Sequence, residues 1–150
     1  MNYTISVAEK SDFSRINELF IQMLQTIHQK EDVSGYAPHD LDDYFKENED
    51  IIYIAKDGDQ IIAFLSIEVH REEKPYLYLD DFSVDKNYRG QGIGTCLLEL
   101  AENYAEKVAV PAILLHVEAS NTRAYALYHR FGYTEYENQG NRILMCKKLD

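Results

Sequence analysis

Apolar and polar residues alternate through YTISVA at positions 3–8, a period of two that predicts a half-buried strand. The period then lengthens. Phe13, Ile16, Phe20, Met23, Leu24 and Ile27 recur at helical spacing behind the capping oxygens of Ser11 and Asp12, which predicts a helix to about Lys30. SGYAPHD (34–40) breaks it, and LDDYFKEN after the break reads as a short second helix. DIIYIAK and QIIAFLSIEV follow as two strands joined by Asp57-Gly58-Asp59, a hairpin signal. Strict alternation in the second strand puts Ile61, Ala63, Leu65, Ile67 and Val69 on one face.

REEK and Pro75 close that strand, and YLYLDDFSV (76–84) predicts another. From Ile93, the residues Cys96, Leu97, Leu100, Ala101, Tyr104 and Val108 form one apolar helical stripe that Pro111 stops. AILLHVE (112–118) is a short, nearly all-apolar run of the kind found in a buried strand. ASNTRAYALYHRFG is a capped helix with Gly132 at its end, and YTEYE plus RILMCKKL form a hairpin around Gln139-Gly140-Asn141. The order β-α-α-β-β-β-α-β-α-β-β implies about seven strands in a mixed α/β sheet with four helices on its faces, in three layers. No repeat or linker divides residues 1–150, which read as a single domain.

Composition narrows the partners. A hydrophobic share of 45% in 150 residues is enough for a core without disulfides or metal. Cys96 and Cys146 sit far apart in apolar segments, as reduced thiols of a cytoplasmic protein do, and argue against a zinc site. No leader-like run precedes the first strand, and no segment approaches the roughly 18 uncharged apolar residues a membrane span needs. A net charge of −11 argues against nucleic acid. The charge is uneven: between Glu31 and Asp59 ten acids face only Lys46 and Lys56. That stretch reads either as a solvated surface or as a field that gathers a cationic ligand.

Three of the seven glycines fall at alternate positions in YRGQGIG (88–94), between a strand and a helix. Unpaired N–H groups at such a turn converge on an anion, and glycines let phosphate oxygens approach the backbone. Lys86, Arg89, Arg123 and Arg130 offer matching positive charge. The absence of a Gly-Lys-Ser/Thr ending excludes the Walker loop, and the spacing is not G-x-G-x-x-G.

The stretch resembles the acetyl-coenzyme A loop of the GNAT superfamily of N-acetyltransferases, Arg/Gln-x-x-Gly-x-Gly/Ala, filled by Arg89, Gly92 and Gly94. A second segment, Asn121, Ala124, Leu127, Tyr128, Gly132 and Tyr133, is similar to that family's Asn-x-x-Ala-x-x-Leu-Tyr-x-x-x-Gly-Phe. The resemblance implies the GNAT fold, acetyl-CoA as co-substrate, and an acyltransferase acting on a primary amine. It assigns the main chain of Phe82, Ser83 and Val84 to the pantetheine arm. The amides of Arg89, Gly90, Gln91, Gly92, Ile93, Gly94 and Thr95 go to the pyrophosphate, Asn121 to the cofactor or a helix cap, and Tyr128 to the sulfur as general acid.

From spacing alone Tyr128 reads as a packing residue beside Tyr125; only the resemblance raises it to the catalytic role. An alkylammonium must lose a proton before attack, and Asp80, His116 and Glu118 are the candidate bases. Strand parity places Asp80 with Phe82 and Val84, and sends Asp81 to the opposite, structural side. A subgroup acting on protein N-termini resembles LHVEASN but carries glutamate where this chain has His116. The acidic stretch favours a small cationic acceptor. A protein lysine or N-terminal amine, and a non-catalytic acyl-CoA-binding module, stand as alternatives. Tyr133, Tyr136 and Leu144 on the last strands leave a homodimer open.

Overall fold

The computed structural model describes residues 2–149. Seven strands form one sheet in the order β1-β2-β3-β4-β5-β7-β6. They are β1 (Thr4–Val7), β2 (Ile51–Asp57), β3 (Gln60–His70), β4 (Tyr76–Val84), β5 (Ala112–Glu118), β6 (Thr134–Asn138) and β7 (Arg142–Lys148). Only β4 and β5 run parallel; every other pair is antiparallel. Three α-helices cover it, α1 (Phe13–His28), α2 (Ile93–Lys107) and α3 (Thr122–Arg130). None is long and apolar enough to cross a membrane among the described residues.

Two cores form, one on each face. Ile16 and Leu19 of α1 pack on Ile52, Ile54, Ile61 and Phe64, all at 4% exposure or less. The opposite face is larger, with Leu97, Leu98 and Ala101 of α2 against Ala63, Leu65, Ile67, Leu77 and Ile113. The apolar stripe of α2 is therefore the reason it docks there. The cysteines are both free thiols, Cys146 buried and Cys96 half-buried.

Four details depart from the sequence pattern. LDDYFKEN makes only a 3-10 turn, Asp42–Phe45, so the described residues form three α-helices rather than four. Its paired acids and aromatics fasten to neighbours instead of building an apolar stripe. Asp12 is the N-cap residue of α1, but its carboxylate accepts from the Glu9 amide at 2.9 Å within a preceding 3-10 turn, Lys10–Asp12, rather than from the amides of α1. Opposite Ala55 and Lys56 of β2, β3 carries one extra residue, Ile62, so Ile61 turns to the α1 core while Ile62 joins Ala63 on the other face. Lastly, Tyr133 is fully buried, and of the last-strand aromatics Tyr136 is the one on the surface, 66% exposed.

The fourth strand carries the most consequential irregularity. Leu79 pairs with Ile67 and Phe82 with Leu65, so Asp80 and Asp81 both lie opposite Ser66. This bulge resets the alternation. Leu77, Leu79, Phe82 and Val84 then share the α2 face, while Tyr78 and both acids turn the other way. Asp80 does not share a face with Phe82 and Val84, and Asp81 is not opposite to it.

Candidate active site

A groove of about 880 Å³ crosses the molecule at the carboxyl end of β4. One of its ends is built by the glycine loop. Asp85, 4% exposed, anchors it: its carboxylate accepts from Arg15 at 2.7 Å and from the Asn87 amide at 2.9 Å. Tyr88 donates to Asp57 at 2.9 Å and Arg89 Nε to the Val84 carbonyl at 3.1 Å. Gly90 and Gly92 have φ of +76° and +83°, and a Cβ on either would project into open space. Gly92 is also the N-cap of α2, so the first amides of that 15-residue helix lack intrahelical acceptors and face the groove from Ile93, Gly94 and Thr95. Arg89, Arg123, Arg130 and His28 line this end; Lys86 does not.

The middle of the groove follows a gap in the sheet. β4 and β5 pair through Leu77–Ile113, Tyr78–Leu114 and Leu79–Leu115, and no further. Beyond that point β4 pairs only with β3, which leaves the opposite backbone edge of Phe82, Ser83 and Val84 without a strand partner. An extended amide-bearing chain fits such an edge. Ser83 contributes main chain alone, because its hydroxyl donates to the Leu19 carbonyl at 2.9 Å. Tyr128 of α3 lines the gap at 8% exposure, its ring 6.4 Å from that of Phe82. Burial is what raises its pKa, so the phenol keeps its proton. Asn121 caps α3, its side chain accepting from the Ala124 amide at 3.2 Å, and it borders the groove as well.

The other end is acidic. Asp80 lines both the groove and an adjoining cavity of about 660 Å³, walled by Phe20, Tyr36, Tyr44 and Glu68. Burial, then the charges of Asp81 and Glu68, push the Asp80 pKa up to about 7, against the pull of Tyr44 and Arg142. Burial raises Asp81 as well, although the Tyr36 hydroxyl donates to it. Tyr36 stacks on Phe20 with centroids 3.9 Å apart, which ties the 34–36 segment over the chamber. Tyr44 donates to Glu68 at 3.2 Å, and His70 holds the other Glu68 oxygen at 2.9 Å. Asp40, Asp43 and Asp50 complete the wall.

His116 and Glu118 also line the groove, on the face of β5 away from the α2 core. Both His116 nitrogens are engaged, Nδ1 with the Tyr78 hydroxyl at 2.6 Å and Nε2 with Gln139 Oε1 at 3.1 Å. Burial and the nearby Arg142 lower its pKa, so the ring is neutral at pH 7. Glu118 lies opposite Arg142 across the β5–β7 pair.

The catalytic and cofactor-binding candidates of the sequence therefore border one groove, with the exception of Gln91, which is exposed beside it; of the cations expected there Lys86 also falls outside. Ile93 is 1% exposed, so only its amide is offered. Sequence reasoning missed Tyr78, Tyr36, Tyr44 and Glu68. Tyr78 and Glu68 were within reach, since they share strand parity with Asp80 and with Ser66, respectively. Tyr36 and Tyr44 lie in a segment without periodicity.

A mostly antiparallel sheet, parted between β4 and β5 and covered by helices on both faces, defines the three-layer fold of N-acetyltransferases. The chain belongs to the acetyltransferase (GNAT) family, whose model matches residues 16–133. It is similar to mycothiol acetyltransferase of Corynebacterium glutamicum, 31% identical over 96 residues; the match spans 64% of this chain and 32% of that protein. A probable spermine N(1)-acetyltransferase of Bacillus subtilis subsp. natto is 35% identical over 77 residues, 49% of this chain and 50% of that one. Among solved structures, the PaiA N-acetyltransferase of Thermoplasma acidophilum in complex with coenzyme A superposes with a TM-score of 0.80. Its identity is 18%, over 99% of both chains.

Proposed function

We propose that residues 1–150 act as one N-acetyltransferase domain that moves an acetyl group from acetyl-coenzyme A to the primary amine of a small cationic acceptor. The observation that carries this reading is the uneven charge along the groove and its adjoining cavity, with Arg89, Arg123, Arg130 and the helix amides at one end and, at the other, Asp80, Asp81 and Glu68 outnumbering Arg142. The open glycine loop and its cationic rim suit a pyrophosphate, and the unpaired edge of β4 suits an amide-bearing arm. Acetyl-coenzyme A supplies the acetyl group when bound and departs as its thiol. Asp80, poised near neutrality, takes one proton from the bound ammonium. The freed nitrogen attacks directly in a ternary complex, and Tyr128 donates its hydroxyl proton to the leaving sulfur. Cys96 lies outside the groove, which disfavours an acetyl-cysteine route.

The acidic chamber supports a cationic acceptor over a neutral or anionic one, and a relative named for spermine acetylation accords with it. Thiol release from acetyl-coenzyme A, followed across a panel of amines, tests the reading. Cationic amines are expected to be preferred; a preference for neutral or anionic acceptors refutes it. Tyr128→Phe should lower kcat about a hundredfold and leave coenzyme A affinity nearly intact. Unchanged turnover in that variant removes Tyr128 from the mechanism.

A further inference from the structure

A hydrogen-bond chain runs from the last hairpin into the groove, and its donor directions can be read end to end. Gln139 presents its amide nitrogen to Glu137 at 3.5 Å, which leaves its oxygen facing His116 Nε2 at 3.1 Å. That oxygen only accepts, so Nε2 carries the His116 proton. In the neutral ring Nδ1 is then an acceptor, and the Tyr78 hydroxyl 2.6 Å away donates to it. Its one proton is thereby committed. What Tyr78 has left for the groove is a lone pair.

The ring of Tyr78 is held in place from both sides. His70 and His116 meet it edge to face, with centroids at 6.4 and 5.7 Å and interplanar angles of 82° and 66°. The residue belongs to the last rungs of β4–β5 pairing, two positions before Asp80 and on the same side of the sheet. Burial raises its pKa to about 12, so the oxygen is a neutral phenol rather than a charge.

We infer that Tyr78 is a specificity residue whose oxygen accepts an N–H from the acceptor's ammonium beside Asp80, and that His116 is the positioning residue that holds the Tyr78 proton away. This rests on the reading of the groove as an amine site and assigns His116 a role other than general base. A protonated amine needs several acceptors around one nitrogen, and a carboxylate plus a neutral oxygen meets that need without adding charge. A carbonyl or hydroxyl acceptor in a substrate finds no donor at Tyr78, so the arrangement also selects against such groups.

The test measures the affinity of 1,4-diaminobutane for the full chain saturated with coenzyme A, by calorimetry, so that it does not depend on turnover. Tyr78→Phe should weaken diamine binding about tenfold, because a hydrogen bond to a charged group is lost. His116→Leu should do the same. His116→Asn, whose side-chain oxygen takes the Nδ1 place, should restore affinity to within about twofold of the parent. The double variant Tyr78→Phe/His116→Leu should bind no more weakly than Tyr78→Phe, since the two residues act as one. Coenzyme A affinity should be unchanged throughout, which verifies the fold. Parent-like binding by Tyr78→Phe, fully additive losses in the double variant, or a parent chain that binds no diamine overturns the inference. A chain that binds the diamine through Tyr78 yet transfers no acetyl group leaves this inference standing and refutes the function proposed above.

Discussion

The Ser66 hydroxyl accepts a hydrogen bond from the Asp81 amide at 2.8 Å and donates one to the Asp81 carbonyl at 3.3 Å. One buried side chain thus closes the bulge in β4 and turns two neighbouring carboxylates into the same groove. The irregularity at the centre of the site is held by a residue on the adjacent strand. Ser66→Ala leaves the Asp81 amide without that partner, at a cost of about 1–2 kcal/mol. The expected outcome is a modest fall in melting temperature with a larger fall in kcat, as Asp80 loses its fixed position. Equal kcat in the variant, at matched folded fraction, shows that the bulge holds without the hydroxyl.

The glycines of the loop divide into two kinds, and their alanine variants should separate. At Gly92, φ of +83° strains any residue with a Cβ although no atom stands within 4 Å of it. At Gly94 the backbone is ordinary, but a Cβ would sit 3.1 Å from Phe82 Cζ. Gly92→Ala should cost about 1 kcal/mol of stability and weaken coenzyme A binding. Gly94→Ala should spare the loop and push the Phe82 ring toward the groove, so coenzyme A binding falls with little change in melting temperature. Denaturation and calorimetry on the same samples check the pair.

Much of this arrangement was legible along the chain. Periodicity together with the turn signals located all seven strands and the three α-helices. Through their resemblance to the GNAT motifs, the glycine loop and the Asn121–Gly132 segment pointed to residues that border one groove. What failed has a common cause. Strand parity predicts faces only while pairing stays regular, and both β3 and β4 carry an extra residue set by a neighbouring strand. Ile61 and Asp80 were misplaced for that reason. Tyr36 and Tyr44 reach the chamber through single hydrogen bonds to Asp81 and Glu68, and contacts of that kind leave no periodic trace.

Asp85 ties the glycine loop to α1. Burial alone would raise its pKa, but hydrogen bonds from the Asn87 amide, Arg15 and Gln22 hold it below the ordinary carboxylate value. The sign follows: the unfolded chain binds the proton more readily than the native one, so this contribution is full above the ordinary value and lost as pH falls through the native pKa. Asp85→Ala removes the buried partner of a half-buried Arg15, which keeps only the exposed Glu18 and the Ile61 carbonyl, and should destabilise by about 2–3 kcal/mol. Coenzyme A affinity should fall as well, since the segment from Asp85 to Arg89 is freed. The parent's advantage over the variant should shrink in denaturation curves taken below pH 4 and persist at pH 7.

Asp80 has the opposite linkage, and it couples activity to stability. Its pKa rises from an ordinary 3.8 to about 7, so the native chain keeps a proton that the unfolded chain has already released. Stability therefore declines as pH climbs through that window, and the decline is complete above it. Asp80→Asn imitates the protonated form. At pH 5 its melting temperature should match the parent's; at pH 8 it should be higher, because a charge facing Asp81 and Glu68 is gone. Its turnover should drop about a hundredfold at either pH at which the parent is active. The parent's own profile separates two routes for the amine. If Asp80 removes a proton from the bound ammonium, kcat/KM rises with pH and levels off above about 7. If the amine enters already neutral, kcat/KM keeps climbing toward the amine's own pKa, about 10 for an alkylamine. A plateau near 7 that vanishes in Asp80→Asn assigns the base; a continued rise in both chains assigns the proton to solvent and leaves Asp80 to orient the cation.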